Sequence, residues 1–120
     1  MNGKLLVVIL SGEDPYKVRW GLRLALHAYK HPYGEKIIEN VLVLLFGIGC
    51  TIINPKMPHY IEFQPRLQTL TDEGVEVATC VSIVKELNLE EESRSLALKL
   101  VHASVYISQC VSEGYTIMTF

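Results

Sequence analysis

The chain has 120 residues, 49% of them hydrophobic, and 11 basic against 13 acidic side chains give a net charge of −2. One domain is expected at this length, burying roughly 65% of its unfolded surface, and so much apolar content with so little charge excludes a disordered chain. The near-neutral balance argues against a nucleic-acid partner, since such affinity rests on many Lys and Arg contacts to phosphate.

Leu5–Leu10 is a continuous apolar run and predicts the first strand. A strand covered by helices on both faces needs that pattern. The run meets Ser11-Gly12-Glu13-Asp14 instead of a small-residue cleavage site, so it does not read as a secretory leader. Asp14-Pro15 offers an N-cap and an N1 proline for a helix to His31, where Pro32 stops it. Val18, Leu22, Ala25, Leu26 and Tyr29 fall on one stripe of that helix. Trp20 and Leu24 form a second apolar stripe, which His27 and His31 continue. Two apolar faces predict a partner surface and a homo-oligomer; one wide stripe on the sheet is the alternative.

Val41–Phe46 predicts the second strand. The uncharged stretch Val41–Ile53 is 13 residues long with two glycines, short of the ~20 that span a membrane. Thr51-Ile52-Ile53-Asn54-Pro55 does not read as helix. A second helix is expected between His59 and Glu73, with Gly74 as its C-cap glycine. Val75–Cys80 predicts a third strand, and its mixed pattern places it nearer an edge or a surface. Val81–Leu87 reads as a short helix. Leu89–Ser112 is open. Its Ala, Leu, Glu, Lys and Gln favour one long helix, but it could hide a short strand at Leu98–His102 before a helix at Ser104–Ser112, or break near Ser93–Ser95. Gly114 repeats the C-cap signal, and Tyr115–Phe120 predicts the last strand. Connections of roughly 30 residues are too long for hairpins, so the strands should run parallel in an α/β fold.

Three cysteines, with no CxxC and no secretion signal, read as free thiols in a reducing compartment. Cys80 is the first candidate for chemistry. It ends a strand, where ligand chemistry sits in open α/β sheets. It also precedes a helix start, where the dipole and unpaired amides favour thiolate, the nucleophilic form. The alternative is a buried small side chain. Cys50 closes Phe46-Gly47-Ile48-Gly49-Cys50 after the second strand and is an accessory thiol or a structural residue. The loop lacks the third glycine and following helix of a dinucleotide fingerprint. Cys110, between Ile107 and Val111, reads as packing. His27 and His31 share a helix face but lack the Glu of an HExxH site, so no metal is assigned. His59 and His102 have no legible partner, no Ser-His-Asp arrangement appears, and Glu90-Glu91-Glu92 reads as a solvated turn or helix start.

Taken together, KLLVVILSGEDPYKVRWGLRLALHA, NVLVLLFGIGC, DEGVEVATCVSIVKELNL and HASVYISQCVSEGYTIMTF resemble the DsrE/DsrF-like (YchN-like, TusD-like) small α/β proteins over nearly the whole length. In that family a V-x-V-x-x-C strand carries the sulfur-handling cysteine before a short helix. The resemblance implies a three-layer α/β/α sandwich with a five-stranded parallel sheet. It places a fourth strand at Leu98–His102 and a fourth helix at Ser104–Ser112. It also implies homotrimers or hexamers, and a sulfur relay in which Cys80 holds a persulfide between donor and acceptor proteins. No cofactor is implied, and Cys50 is not a general family feature. A cytoplasmic sulfur carrier or sulfurtransferase is therefore expected. The alternatives are a non-catalytic oligomeric binding or scaffold protein, and a thiol–disulfide enzyme with Cys50 as the resolving thiol.

Overall fold

A computed structural model describes residues 3–120. Among these, the strands are β1 (Gly3–Ile9), β2 (Ile38–Leu45), β3 (Glu76–Cys80), β4 (Lys99–Val101) and β5 (Thr116–Thr119). The helices are α1 (Pro15–Lys30), α2 (Tyr60–Asp72), α3 (Val81–Glu86), α4 (Glu90–Ser95) and α5 (Ala103–Ser112). A 3-10 helix covers Gly47–Ile53. All five strands are parallel, in the order β4-β3-β2-β1-β5. Helices lie on both sides of the sheet, giving the three-layer α/β/α architecture. Among the described residues no helix is long and apolar enough to cross a membrane.

Register and alternation assign the two faces. Leu5, Val7 and Ile9 pair with Val41, Val43 and Leu45, so these six side chains share one face. Helix α1 covers it, and Gly21 comes close to Ile9 and Phe120. Leu6, Val8, Leu44 and Ala78 point to the other face. There α5 docks, its Tyr106 hydroxyl donating to the Glu76 carboxylate at 2.6 Å. Leu6, Val7, Ile9, Val43, Leu44 and Leu45 are all completely buried. This explains why the first two strands read as continuous apolar runs: each residue is covered whichever way it points. β3 is one strand from the edge, and β4, a mostly exposed three-residue strand, completes that side.

The start of α1 follows the sequence: Asp14 Oδ1 accepts the backbone N–H groups of Tyr16 and Lys17 at 3.0 and 3.3 Å. Pro32 follows an ordered cap. His31 takes the left-handed conformation (φ 53°) and its N–H returns to the His27 carbonyl at 2.9 Å. Helices α1 and α2 are joined by Arg19, which donates twice to the Glu62 carboxylate at 2.6 and 2.8 Å.

The stretch Leu89–Ser112 is not one helix, and helix ends explain why. α2, α3, α4 and α5 finish with the same pair of backbone bonds. A left-handed residue donates back three positions, and the next residue donates back five. The left-handed residues are Gly74, Asn88, Ala97 and Gly114. The second bonds are Val75 to Leu70, Leu89 to Val84, Leu98 to Ser93 and Tyr115 to Cys110. This is the Schellman closure, with an apolar residue following each cap. The two glycines announced it in the sequence. Ala97 did not, because alanine seldom adopts φ 58°. Burial of Leu96 and Leu98 holds the turn against helix propensity, and Ser93–Ser95 remain helical. Ala97→Gly is therefore expected to stabilise the protein by about 1 kcal/mol. A chemical-denaturation midpoint that falls instead of rising would refute it.

Candidate functional site

Cys80 is the last residue of β3 and the N-cap of α3. Its backbone is extended (φ −68°, ψ 114°), the side chain accepts no capping hydrogen bond, and the residue is 6% exposed. It stands at the carboxyl end of the sheet, as the chain pattern predicted, in register with Val101 of β4. The preceding Thr79 is fully buried, and its hydroxyl pairs with that of the equally buried Ser93 of α4 at 3.0 Å. Each hydroxyl satisfies the other where no water reaches. The pair ties the end of β3, and so Cys80, to the helix beyond it. Sequence reasoning treated Ser93 only as a break; the available signal was a polar residue at a strand position that should be fully covered.

Cys50 lies in the 3-10 helix, so Gly47–Ile53 is helical where Thr51–Pro55 had read as irregular. The reason is packing: Gly49 sits so close to β1 that a Cβ there would lie 1.8 Å from the Ile9 carbonyl oxygen. Gly49 serves contact between backbones, whereas Gly47 takes the left-handed conformation (φ 59°) with nothing within 4 Å of an added Cβ. Cys50 is completely buried, and its thiol donates to the Leu45 carbonyl at 3.2 Å. Leu45 ends β2 and is in register with Thr79, the neighbour of Cys80. The fold thus brings Cys50 and Cys80 together at the ends of adjacent strands. Burial pushes the Cys50 thiol up to about 11. The Cys80 amide facing the sulfur offsets this in part, and negative charge on Cys80 adds to it. Cys50 is consequently a protonated thiol at neutral pH.

A shallow groove of about 250 Å³ runs between the two elements that carry these cysteines. Gly47, Ile48 and Thr51 form one wall; Ile83, Glu86 and Leu87 form the other. Ile48 and Leu87 are 56% and 40% exposed there. Neither sulfur lines the groove.

The remaining candidates lie elsewhere. Cys110 is buried in α5, where burial and the nearby Glu113 and Glu76 carboxylates raise its thiol; it packs. The His27 ring meets Tyr33 edge-on at 5.6 Å, and His59 stands against Phe63 at 6.0 Å. Among the described residues no group of three His, Cys, Asp or Glu side chains is placed to hold a metal ion. On α1, Val18, Gly21, Leu22 and Ala25 are buried, Leu24 is half-buried, and Trp20 and Tyr16 stay exposed at 53% and 67%. Arg23 lies over the Trp20 ring and Arg19 over the Tyr16 ring.

No protein-family model matches the chain, and no curated protein matches it. Solved structures share its fold, among them two proteins of unknown function. One is a conserved protein of unknown function, BT1422, from Bacteroides thetaiotaomicron, with TM-score 0.78 and 12% identity over 98% of this chain and 94% of that one. The other is a protein of unknown function, MTH1491, from Methanobacterium thermoautotrophicum, with TM-score 0.71 and 12% identity over the whole of both chains.

Proposed function

We propose that the protein is a sulfur carrier that holds sulfur as a persulfide on Cys80 and passes it to an acceptor thiol. The observation that carries this reading is the position of Cys80. It ends a parallel strand at the carboxyl side of the sheet, at a helix start, and is anchored from below by the Thr79–Ser93 pair. Cys80 is itself buried but keeps 6% exposure where Cys50 keeps none, so Cys80 is the more accessible of the two. The resemblance to the DsrE/DsrF-like proteins supports the same assignment, and with it a cytoplasmic, reducing setting.

In the first step the Cys80 thiolate attacks the outer sulfur of a donor persulfide. A bond forms from Cys80 Sγ to that sulfur, the donor S–S bond breaks, and the donor leaves as a thiolate. In the second step an acceptor thiolate attacks the same outer sulfur and Cys80 leaves as the thiolate. No net oxidation occurs. Loading with a persulfide donor should add ~32 Da to the wild-type chain and nothing to Cys80→Ser. Equal adducts on both proteins, or on neither, would overturn the reading.

The exposed Trp20 and Tyr16 on α1 favour a second reading: an oligomeric binding or scaffold protein, assembled as a trimer or hexamer, in which Cys80 only fills space. That reading predicts slow alkylation of Cys80 at neutral pH and no sulfur adduct.

A further inference from the structure

The carrier reading leaves one feature unused: a second buried thiol beside the carrier cysteine. Cys50 is held from two sides. Its thiol donates to the last carbonyl of β2, and the glycine before it is pressed against the last carbonyl of β1. These contacts place its sulfur at the level where β3 ends, next to Cys80. The Cys80 backbone amide faces the Cys50 sulfur, so the two cysteines are neighbours across the ends of β2 and β3. Both thiols are free, and Cys50 is completely buried.

We propose that Cys50 is a resolving thiol that discharges the Cys80 persulfide as hydrogen sulfide by closing a Cys50–Cys80 disulfide. This rests on the carrier reading. The Cys50 thiolate attacks Cys80 Sγ, the inner sulfur. The Cys50–Cys80 bond forms and the bond from Cys80 to the outer sulfur breaks. The Cys50 sulfur is oxidised to the disulfide level, the Cys80 sulfur keeps its oxidation state, and the outer sulfur is reduced and leaves as HS⁻. The proton lost from Cys50 passes to water. An external thiol later reduces the disulfide.

The burial that keeps Cys50 protonated sets the timing. At neutral pH only about one molecule in 10⁴ carries the Cys50 thiolate, given a thiol near 11. The stored sulfur therefore lasts long enough to meet an acceptor, and internal discharge is the slow default when none comes. Before loading, negative charge on Cys80 opposes the Cys50 thiolate further. Discharge should accelerate as pH rises, about tenfold per unit through the range below 11.

The test loads the full chain with inorganic polysulfide, removes the excess, and follows intact mass and released sulfide. The wild-type adduct of ~32 Da should give way to a chain ~2 Da lighter than the starting protein, with one equivalent of sulfide released. Peptide mapping should join Cys50 to Cys80. Cys50→Ser keeps a hydroxyl that can donate to the Leu45 carbonyl, and Cys50→Ala guards against an effect of that hydroxyl. Both should fold and hold the adduct at least about tenfold longer than wild type. An adduct equally long-lived in all three proteins, or one lost without the lighter chain, overturns the resolving role and leaves the carrier reading standing. Absence of any adduct, in the Cys50 variants as well, overturns both. Mild peroxide treatment of unloaded protein reads the pairing separately. A Cys50 still fully alkylated after denaturation, once Cys80 has been oxidised, also overturns it.

Discussion

Gly49→Ala is expected to cost about 3 kcal/mol or more and to loosen the segment that holds Cys50. A Cβ at residue 49 would lie 1.8 Å from the Ile9 carbonyl oxygen and 2.6 Å from its carbon. Both atoms are backbone, so no rotamer change relieves the overlap. The 3-10 helix or the end of β1 must move, in a region where neighbouring residues are fully buried. Movement also strains the bond from the Phe46 N–H to the same Ile9 carbonyl, now 3.1 Å. Gly34→Ala is the matched control, because nothing lies within 4 Å of its added carbon. Thermal unfolding should separate the two variants by at least ~10 °C. Cys50 should also alkylate faster in Gly49→Ala than in wild type. Equal melting temperatures for the two would show that the close approach is not real.

Truncating Phe63 to alanine is expected to cost about 3–5 kcal/mol. Phe63 is 2% exposed and among the largest of the completely covered side chains. It belongs to α2, which packs on the 3-10 helix and on β3, the elements that carry Cys50 and Cys80. Removing the ring leaves a void that the rigid sheet below fills only in part. For a chain of this length the melting temperature should fall by roughly 10–20 °C. Ile61→Ala on the same helix, at a residue 86% exposed, should change stability by less than about 0.5 kcal/mol. A Phe63→Ala protein that melts with the Ile61→Ala protein would contradict this account of the core.

Much of the fold was legible because its signals are local. Continuous apolar runs marked β1 and β2, Asp14-Pro15 marked the start of α1, and Gly74 and Gly114 marked two helix ends. Strand bounds differ from the expected ones by up to three residues, most at the start of β2 (Ile38 instead of Val41). The lapses share a cause. Ala97 turns left-handed without a glycine to announce it, because burial of Leu96 and Leu98 outweighs the local strain. Gly47–Ile53 coils into a 3-10 helix because β1, distant in sequence, passes within contact of Gly49. On α1 the second apolar stripe divided: Leu24 turned partly inward while Trp20 stayed out.

The candidate site divides along the same line. That Cys80 ends a strand and begins a helix was written in VEVATCVSIVKEL, because hydrophobic pattern and helix propensity act over a few residues. That Cys50 lies beside it, sealed from water with its proton held, and that Thr79 and Ser93 satisfy each other beneath it, was decided by the sheet. Parallel pairing sets Leu45 against Thr79 across more than 30 residues of chain, and closeness of that kind has no local signature. Burial, which raises the Cys50 thiol and leaves Cys80 6% exposed, exists only once the layers have closed.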